Sequence, residues 1–201
     1  MSRELSREDR IFLERLSRLA TANPFLPERI ELERQILEDA FEEGSPVWSK
    51  RLDRRNPNVL ELEARATATA NGIRARLGSG ALGSDSDRRL YEELVFYILY
   101  YRFEEEFSRA MSEPSVRFYE PFCREAVSYL STRIEPSLTH WFSFLFQIRR
   151  ASHHIFDFIV GSSFPAAKLR AAIWQSIFTH DLRRYRRALF DRMGDVSTLV
   201  T

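Results

Sequence analysis

Cysteine is almost absent from this 201-residue sequence, in which Cys123 stands alone. A single cysteine excludes an intramolecular disulfide and a zinc site of the CxxC type, and it gives no indication of an oxidising compartment. Long apolar runs are also missing, since the longest, 94–101 and 141–148, fall far short of the roughly 18 to 20 residues of a membrane-spanning helix. Because the N-terminus is charged and has no apolar signal region, we expect a cytoplasmic location and no membrane contact.

Net charge is close to zero, because 30 basic residues balance 29 acidic ones and leave +1. No field over the whole molecule therefore attracts nucleic acid, anionic lipid or an acidic substrate. Lysine is scarce, with only Lys50 and Lys168, and we attribute the predominance of arginine to coding bias. The composition is otherwise globular, and its 13% of aromatic residues is enough to build most of a core from rings.

Apolar residues recur at helical spacing along most of the chain, and prolines and glycines interrupt the pattern. This arrangement predicts an all-α bundle of about six or seven helices. The capping sequence Ser6-x-x-Asp9 opens the first helix. The predicted helices run from Ser6 to Ala22, Pro27 to Gly44, Pro57 to Gly78, Asp87 to Met111, between Pro114 and Pro136, Pro136 to Gly161, and Pro165 to Met193, the last with a possible break near His180.

The last residues change pattern, because 196–201 form a β-branched, apolar run that predicts a strand. A lone strand leaves backbone groups unpaired on both edges, so we interpret the sequence as a fragment cut off before its sheet. The predicted organisation is a helical domain over 1–180, an arginine-rich linker helix over 181–194 and a strand over 195–201.

The C-terminal segment from His180 to Thr201 reads HDLRRYRRALFDRMGDVSTLVT. It resembles the stretch that enters the AAA+ domain of sigma-54-dependent transcriptional activators, the bacterial enhancer-binding proteins. In that family an acidic turn leads into an apolar strand, and a phosphate-binding glycine loop follows at once. The blocks 146–154 and 174–180 also resemble the helical N-terminal region of one subgroup of these regulators.

The resemblance implies that the chain is the regulatory part of such an activator plus the first strand of its ATPase. It implies no catalysis by this chain, because the Walker A pattern G-x-x-x-x-G-K-S/T is absent from the sequence and ATP and magnesium are expected only in the full-length protein. The implied partners are the AAA+ domain and, through it, the sigma-54 RNA polymerase. Homo-oligomers are compatible with the resemblance, whereas direct DNA contact by this chain is not expected.

The densest basic cluster consists of Arg183, Arg184, Arg186 and Arg187 around a tyrosine. Such a cluster can meet phosphates or stack on a base. These arginines fall on more than one side of a helix, which favours a linker helix with acidic partners. In the regulator interpretation this helix joins the sensor to the motor.

Two further groups of residues carry alternatives. We predict no metal site, but His153 with Asp157 at i,i+4, beside His154, are the residues that could contribute to one. The aromatic residues are expected to pack as core, yet they could line a pocket for an apolar or aromatic effector. They are Tyr97, Tyr100, Tyr101, Phe103, Trp141, Phe142, Phe144 and Phe146.

Two more expectations and two alternative functions complete the interpretation. The acidic run 104–106 is expected to be a solvated helix face, and Cys123 a small hydrophobe. Besides the regulator, the sequence is compatible with a free-standing helical interaction module. It is also compatible with a small metal-binding helical protein that uses the histidines named above.

Overall fold

The computed structural model describes residues 4–43, 56–78, 80, 82–113, 115, 117–130, 138–178 and 181–186. Within these residues the chain is helical and contains no strand, which confirms the predicted all-α fold. The strand predicted for 195–201 lies outside the described residues. The helices are α1 (Arg7–Thr21), α2 (Pro27–Leu37), a 3-10 turn (Glu38–Ala40), α3 (Pro57–Leu77), α4 (Asp85–Arg102), α5 (Glu104–Ser112), α6 (Tyr119–Tyr129), α7 (Leu138–Phe158), α8 (Phe164–Ile177) and α9 (Leu182–Arg184).

Several helices begin where their capping residues predict. Ser6 and Asp9 form a reciprocal capping box at the start of α1, with the Asp9 N–H donating to Ser6 Oγ over 3.1 Å. The side chain of Asn56 accepts from the backbone at the start of α3, and Pro57 occupies the first turn. Ser163 caps α8 in the same way. Local chemistry therefore fixes these starts.

Three predicted helices end earlier than expected. The second was predicted to reach Gly44 but ends at Leu37, because Glu38 adopts a φ of 51° that stops an α-helix. The fourth was predicted to run to Met111 but breaks at Phe103, whose ring packs against Phe122 at 5.3 Å between centroids. The break turns α5 so that its apolar face meets α7.

The seventh predicted helix was expected to reach Met193 with a possible break near His180, and the structure has such a break, because α8 ends at Ile177 and α9 begins at Leu182. Phe178 leaves the helix and places its ring 4.5 Å from that of Trp174 and 5.3 Å from that of Tyr185, measured between centroids. Asp181 then caps the short helix α9 by accepting from the Arg184 N–H. Burial of the Phe178 ring outweighs continuation of the helix here.

The core is built around α4, which packs against α1, α3, α5 and α6. A second group of contacts joins α7 to α5, α6 and α8. Phe107, fully buried, lies at the centre of a ring cluster. Its neighbours within 6.3 Å between centroids are Phe118, Phe122, Phe142 and Phe146. No helix in the described part of the chain has both the length and the apolar character needed to cross a membrane.

Candidate functional site

The described part of the arginine-rich region, residues 181–186, folds back onto the bundle, and we call it the arginine segment. The Arg183 guanidinium lies between α1 and α4, where it donates to the Ser17 hydroxyl and stands 3.4 Å (Nε to Oε1) from the carboxylate of Glu93. Ser17 in turn donates to Glu93. Because Ser17 and Glu93 are both buried, Arg183 supplies a cation to an acidic group inside the bundle.

Two further residues, Tyr185 and Arg186, hold the arginine segment. The ring of Tyr185 is buried 6.0 Å from that of Phe144, and burial raises the pKa of its hydroxyl. The guanidinium of Arg186 lies 4.7 Å from the ring centroid of Phe96, and its carbonyl is 2.8 Å from Nε2 of His140. The segment is therefore anchored by an ion pair, an aromatic contact and a cation–π contact.

The sequence grouped four arginines, and the structure divides them by role. Arg183 and Arg186 contact the bundle, as described above, whereas the side chain of Arg184 is exposed to solvent. Arg187 lies outside the described residues. The two docked positions are three residues apart, the spacing at which helical side chains share a face.

Beside the arginine segment lies a cavity of about 90 Å³ that is partly open to solvent, which we call the tyrosine cavity. It is enclosed by α1, by the α1–α2 connection, and by α2, α3, α4, α5, α7, α8 and α9. Leu182 of the arginine segment forms part of its wall. The full lining is Ala20, Ala22, Pro24, Arg29, Val59, Phe96, Tyr97, Tyr100, Tyr101, Glu104, Ile148, Arg149, Ser152, Trp174 and Leu182.

Two ion pairs stand at the polar part of this cavity. Arg29 Nε lies 3.0 Å from Glu33 Oε1, and its Nη2 donates to the Tyr101 hydroxyl over 2.8 Å. Arg149 Nη1 lies 2.6 Å from Glu104 Oε1. Each arginine thus has a carboxylate of its own, and the set carries no net charge. Despite its burial, the pKa of Arg29 is raised by Tyr101 and Glu33, so this guanidinium stays charged.

Three tyrosine hydroxyls line the same cavity. Burial raises the pKa of Tyr97, Tyr100 and Tyr101 above the usual value near 10, so all three are protonated at neutral pH. Tyr97 is only 3% exposed, and its hydroxyl has the Tyr101 hydroxyl as a neighbour but makes no hydrogen bond of normal geometry among the residues that the structure describes. A buried hydroxyl without a well-formed hydrogen bond is unusual, because it loses water without regaining a full bond.

The predicted aromatic cluster is split by the structure. Tyr97, Tyr100 and Tyr101 line the cavity. The remaining members pack as core: Trp141 and Phe144 against Phe96, Phe142 and Phe146 against Phe107, and Phe103 against Phe122.

Polar residues of the cavity were missed by sequence reasoning. Glu104 was expected on a solvated face, but it is 7% exposed and paired with Arg149, so that expectation was wrong for this residue. Glu104 and Arg149 lie far apart in sequence, and no local sequence pattern indicates that they pair. Arg29 and Glu33 are spaced i,i+4 on α2, which is the one local signal that could have indicated their pairing.

The histidine group lies elsewhere, near the end of α7. His153 Nε2 is 3.0 Å from Asp157 Oδ2, and both side chains are close to half exposed. The ring of His154 contacts that of His153 at 5.6 Å and stacks on that of Phe158 at 5.9 Å, both measured between centroids. In the described ranges, no three residues of the types His, Cys, Asp and Glu form a group able to hold a metal ion. Cys123 is partly buried and packs against the core.

The described elements together define an all-α bundle with one docked segment and a cavity whose wall that segment completes. No protein-family model, no curated protein and no solved structure matches the chain.

Proposed function

We propose that this chain is a signal-sensing regulatory module, and that its arginine segment reports the state of the bundle to a downstream domain. The observation that carries the proposal is the position of Arg183, which joins the segment to the buried pair Ser17 and Glu93 between α1 and α4. Such a contact gives the segment two states, docked and released, and a regulator needs an element with two states.

The docked state depends on the interior of the bundle. Releasing the segment removes a cation from a buried carboxylate, which is costly, and exposes the ring of Tyr185. Leu182 meets the tyrosine cavity while Arg183 meets the ion pair. A change in either place alters the free energy of docking. The segment is thus positioned to convert a change inside the bundle into a change at the C-terminal side.

The downstream domain that we propose is the AAA+ ATPase of a sigma-54-dependent activator. Support comes from the resemblance of the stretch from His180 to Thr201 to the entry of that domain. In this proposal the protein acts in the cytoplasm and reaches the sigma-54 RNA polymerase through the ATPase, which alone binds ATP and magnesium. The arginine segment then occupies the position between sensor and motor.

A second candidate function is a free-standing interaction module. One observation favours it: Phe158 and Val160, at the connection from α7 to α8, are 81% and 74% exposed. Large exposed apolar side chains of this kind occur where proteins bind one another. In that case binding to the chain would be lost on replacing Phe158, while variants of the arginine segment would bind normally.

Docking of the segment is tested with Arg183→Ala and its exposed neighbour Arg184→Ala as the matched control. Hydrogen exchange of the amides of 182–186 is expected to accelerate about tenfold in Arg183→Ala, because an ion pair and a hydrogen bond are lost. The amides of α4 and α7 are expected to keep their protection, and Arg184→Ala to behave like the wild type. Equal exchange in all three proteins would contradict the docked state.

Regulation is tested in the longer protein. Reading the source gene beyond the codon for Thr201 is expected to give the glycine loop with its lysine directly, and a stop codon in every source would contradict the ATPase part of the proposal. In the joined protein, Arg183→Ala is expected to change the ATPase rate severalfold and Arg184→Ala to leave it unchanged. Identical rates would show that the segment transmits nothing.

A further inference from the structure

The size and walls of the tyrosine cavity limit its occupant. A volume of about 90 Å³ is far larger than one water requires, and it is smaller than the roughly 150 Å³ engineered cavity that accepts benzene. A small ring therefore fits only if it also occupies the opening toward the solvent side. The walls away from the ion pairs are apolar and include Phe96, Ile148 and Trp174. Such walls favour a hydrocarbon ring over a polar chain.

The charges at the cavity limit the occupant further. Arg29 is paired with Glu33, and Arg149 with Glu104. An anionic ligand would have to displace one of these carboxylates or remain beside it, and a cationic ligand would meet the arginines. Since opposite charges are already matched, the cavity favours a neutral molecule.

The tyrosine hydroxyls specify the polar group of the occupant. Arg29 donates to the Tyr101 oxygen, so the Tyr101 proton points elsewhere. The buried Tyr97 hydroxyl, beside it, interacts with Tyr101 but makes no hydrogen bond of normal geometry to a described residue. A hydroxyl without a well-formed hydrogen bond can donate to an acceptor that a ligand brings, and a carbonyl oxygen accepts without bringing a proton that would need its own partner.

We propose that the tyrosine cavity binds a small, neutral ring compound bearing a carbonyl group, whose oxygen accepts a hydrogen bond from Tyr97. The ring lies against the apolar walls, and the carbonyl faces the side where Tyr97 and Tyr101 stand. Nothing in this assignment requires a conformational change of the ion pairs.

The same ligand is placed to act on the arginine segment, and this second part rests on the proposed function. Leu182 and Phe96 both line the cavity, and Phe96 carries the guanidinium of Arg186 on its ring. A ring bound in the cavity adds contacts to Leu182 that exist only while the segment is docked. Binding therefore favours the docked state by linkage.

The binding site is tested by NMR titration of the intact chain with three probes of similar shape. Cyclohexanone carries the carbonyl, methylenecyclohexane replaces its oxygen by a carbon, and cyclohexanecarboxylate adds a negative charge. We expect cyclohexanone to bind most tightly and to shift signals of Trp174 and Ile148. Binding of none of the probes, or tightest binding of the carboxylate, would overturn the assignment.

The role of the hydroxyl is tested with Tyr97→Phe, and Tyr91→Phe serves as the matched control. Tyr91 is also a buried tyrosine of α4, but its hydroxyl donates to the Tyr129 carbonyl over 3.1 Å and it does not line the cavity. Tyr97→Phe is expected to weaken cyclohexanone binding about three- to tenfold and to leave methylenecyclohexane unchanged. Tyr91→Phe is expected to alter neither. Equal weakening of both probes by Tyr97→Phe would contradict the hydrogen bond.

Coupling is tested by hydrogen exchange of 182–186 with saturating cyclohexanone. Slower exchange of these amides is expected in the wild type when cyclohexanone is bound. Cyclohexanone binding by Arg183→Ala does not require that its segment slow to the same extent. If cyclohexanone binds through Tyr97 but leaves exchange of the segment unaltered, the coupling is refuted and the site stands. If the segment is released by Arg183→Ala but no probe binds, the ligand assignment fails while the proposed function stands.

Discussion

Replacing the hydroxyl of Tyr97 is predicted to affect the free energy of unfolding in the opposite sense to replacing that of Tyr91, which lies on the same helix. The buried hydroxyl of Tyr97 makes no hydrogen bond of normal geometry among the described residues, so removing that hydroxyl removes a desolvation cost that is not fully repaid. We predict that Tyr97→Phe leaves the free energy of unfolding unchanged or raises it by about 1 kcal/mol. Tyr91→Phe breaks a bond to the Tyr129 carbonyl and is predicted to lower it by about 1 kcal/mol. Urea unfolding of both variants is the measurement.

The comparison also bears on the tyrosine cavity. If Tyr97→Phe lowers the free energy of unfolding as much as Tyr91→Phe does, the Tyr97 hydroxyl is satisfied within the unliganded protein. The cavity would then have no donor waiting for an acceptor.

Asp87 is a buried carboxylate of α4 that binds Leu5 and Arg10 at the start of α1. Its Oδ2 accepts from the Leu5 N–H over 3.1 Å, and its Oδ1 lies 2.7 Å from Arg10 Nη2. We predict that Asp87→Asn lowers the free energy of unfolding by about 1.5–3 kcal/mol, because hydrogen bonds to a charged group are lost. Asp85→Asn, in the same first turn but exposed, is expected to cost less than about 1 kcal/mol. Thermal unfolding of the two variants compares them directly, and equal losses would contradict the role of Asp87.

At the scale of the helices, prediction from sequence succeeded where structure is local. The capping box of Ser6 and Asp9 and the cap of Asn56 depend on residues within one turn of each other. The break at Phe103 depends instead on a ring that lies on α6. No propensity along 87–111 marks that break, because its cause is tertiary packing.

The α5 helix is a short element that depends on one side chain. Phe107 is fully buried among rings of α6 and α7, whereas most of the other α5 side chains are at least partly exposed. We predict that Phe107→Ala lowers the free energy of unfolding by about 3–5 kcal/mol, through lost burial and the cavity left behind. Arg109→Ala, on the exposed side of the same helix, is the control and is expected to change it by less than about 0.5 kcal/mol.

Chemical denaturation measures both α5 variants, and hydrogen exchange locates the effect. Faster exchange concentrated in α5 and α6 is expected for Phe107→Ala. A loss of less than about 1 kcal/mol would show that the ring cluster repacks without Phe107.

At the scale of the whole molecule, the candidate site was only partly predictable. The sequence indicated an aromatic pocket, and three of its tyrosines do line the cavity because they share one side of α4. The ion pair of Glu104 with Arg149 and the contact of Arg183 with Glu93 join residues distant in sequence. A composition with nearly equal charges of both signs is compatible with such pairs but does not say which residues form them.

The buried tyrosines also make the stability of the fold depend on pH, which exposed tyrosines would not do. Burial raises the pKa of Tyr91, Tyr97, Tyr100 and Tyr101 above the ordinary value of 10. Above pH 10 the unfolded chain loses these protons while the folded chain keeps them, so the folded state binds more protons and stability falls as pH rises. Below pH 10 the four hydroxyls are protonated in both states and contribute no slope.

We therefore predict a plateau of stability up to about pH 10 for this set of groups, followed by a decline that approaches 1.4 kcal/mol per pH unit for each buried tyrosine. Urea unfolding between pH 8 and about pH 11.5, with tyrosinate absorbance recorded in parallel, measures both quantities. Tyr91→Phe is expected to reduce the slope of this decline by the contribution of one tyrosine. Ionisation of all tyrosines near pH 10 without unfolding would contradict their burial, and with it the walls of the tyrosine cavity.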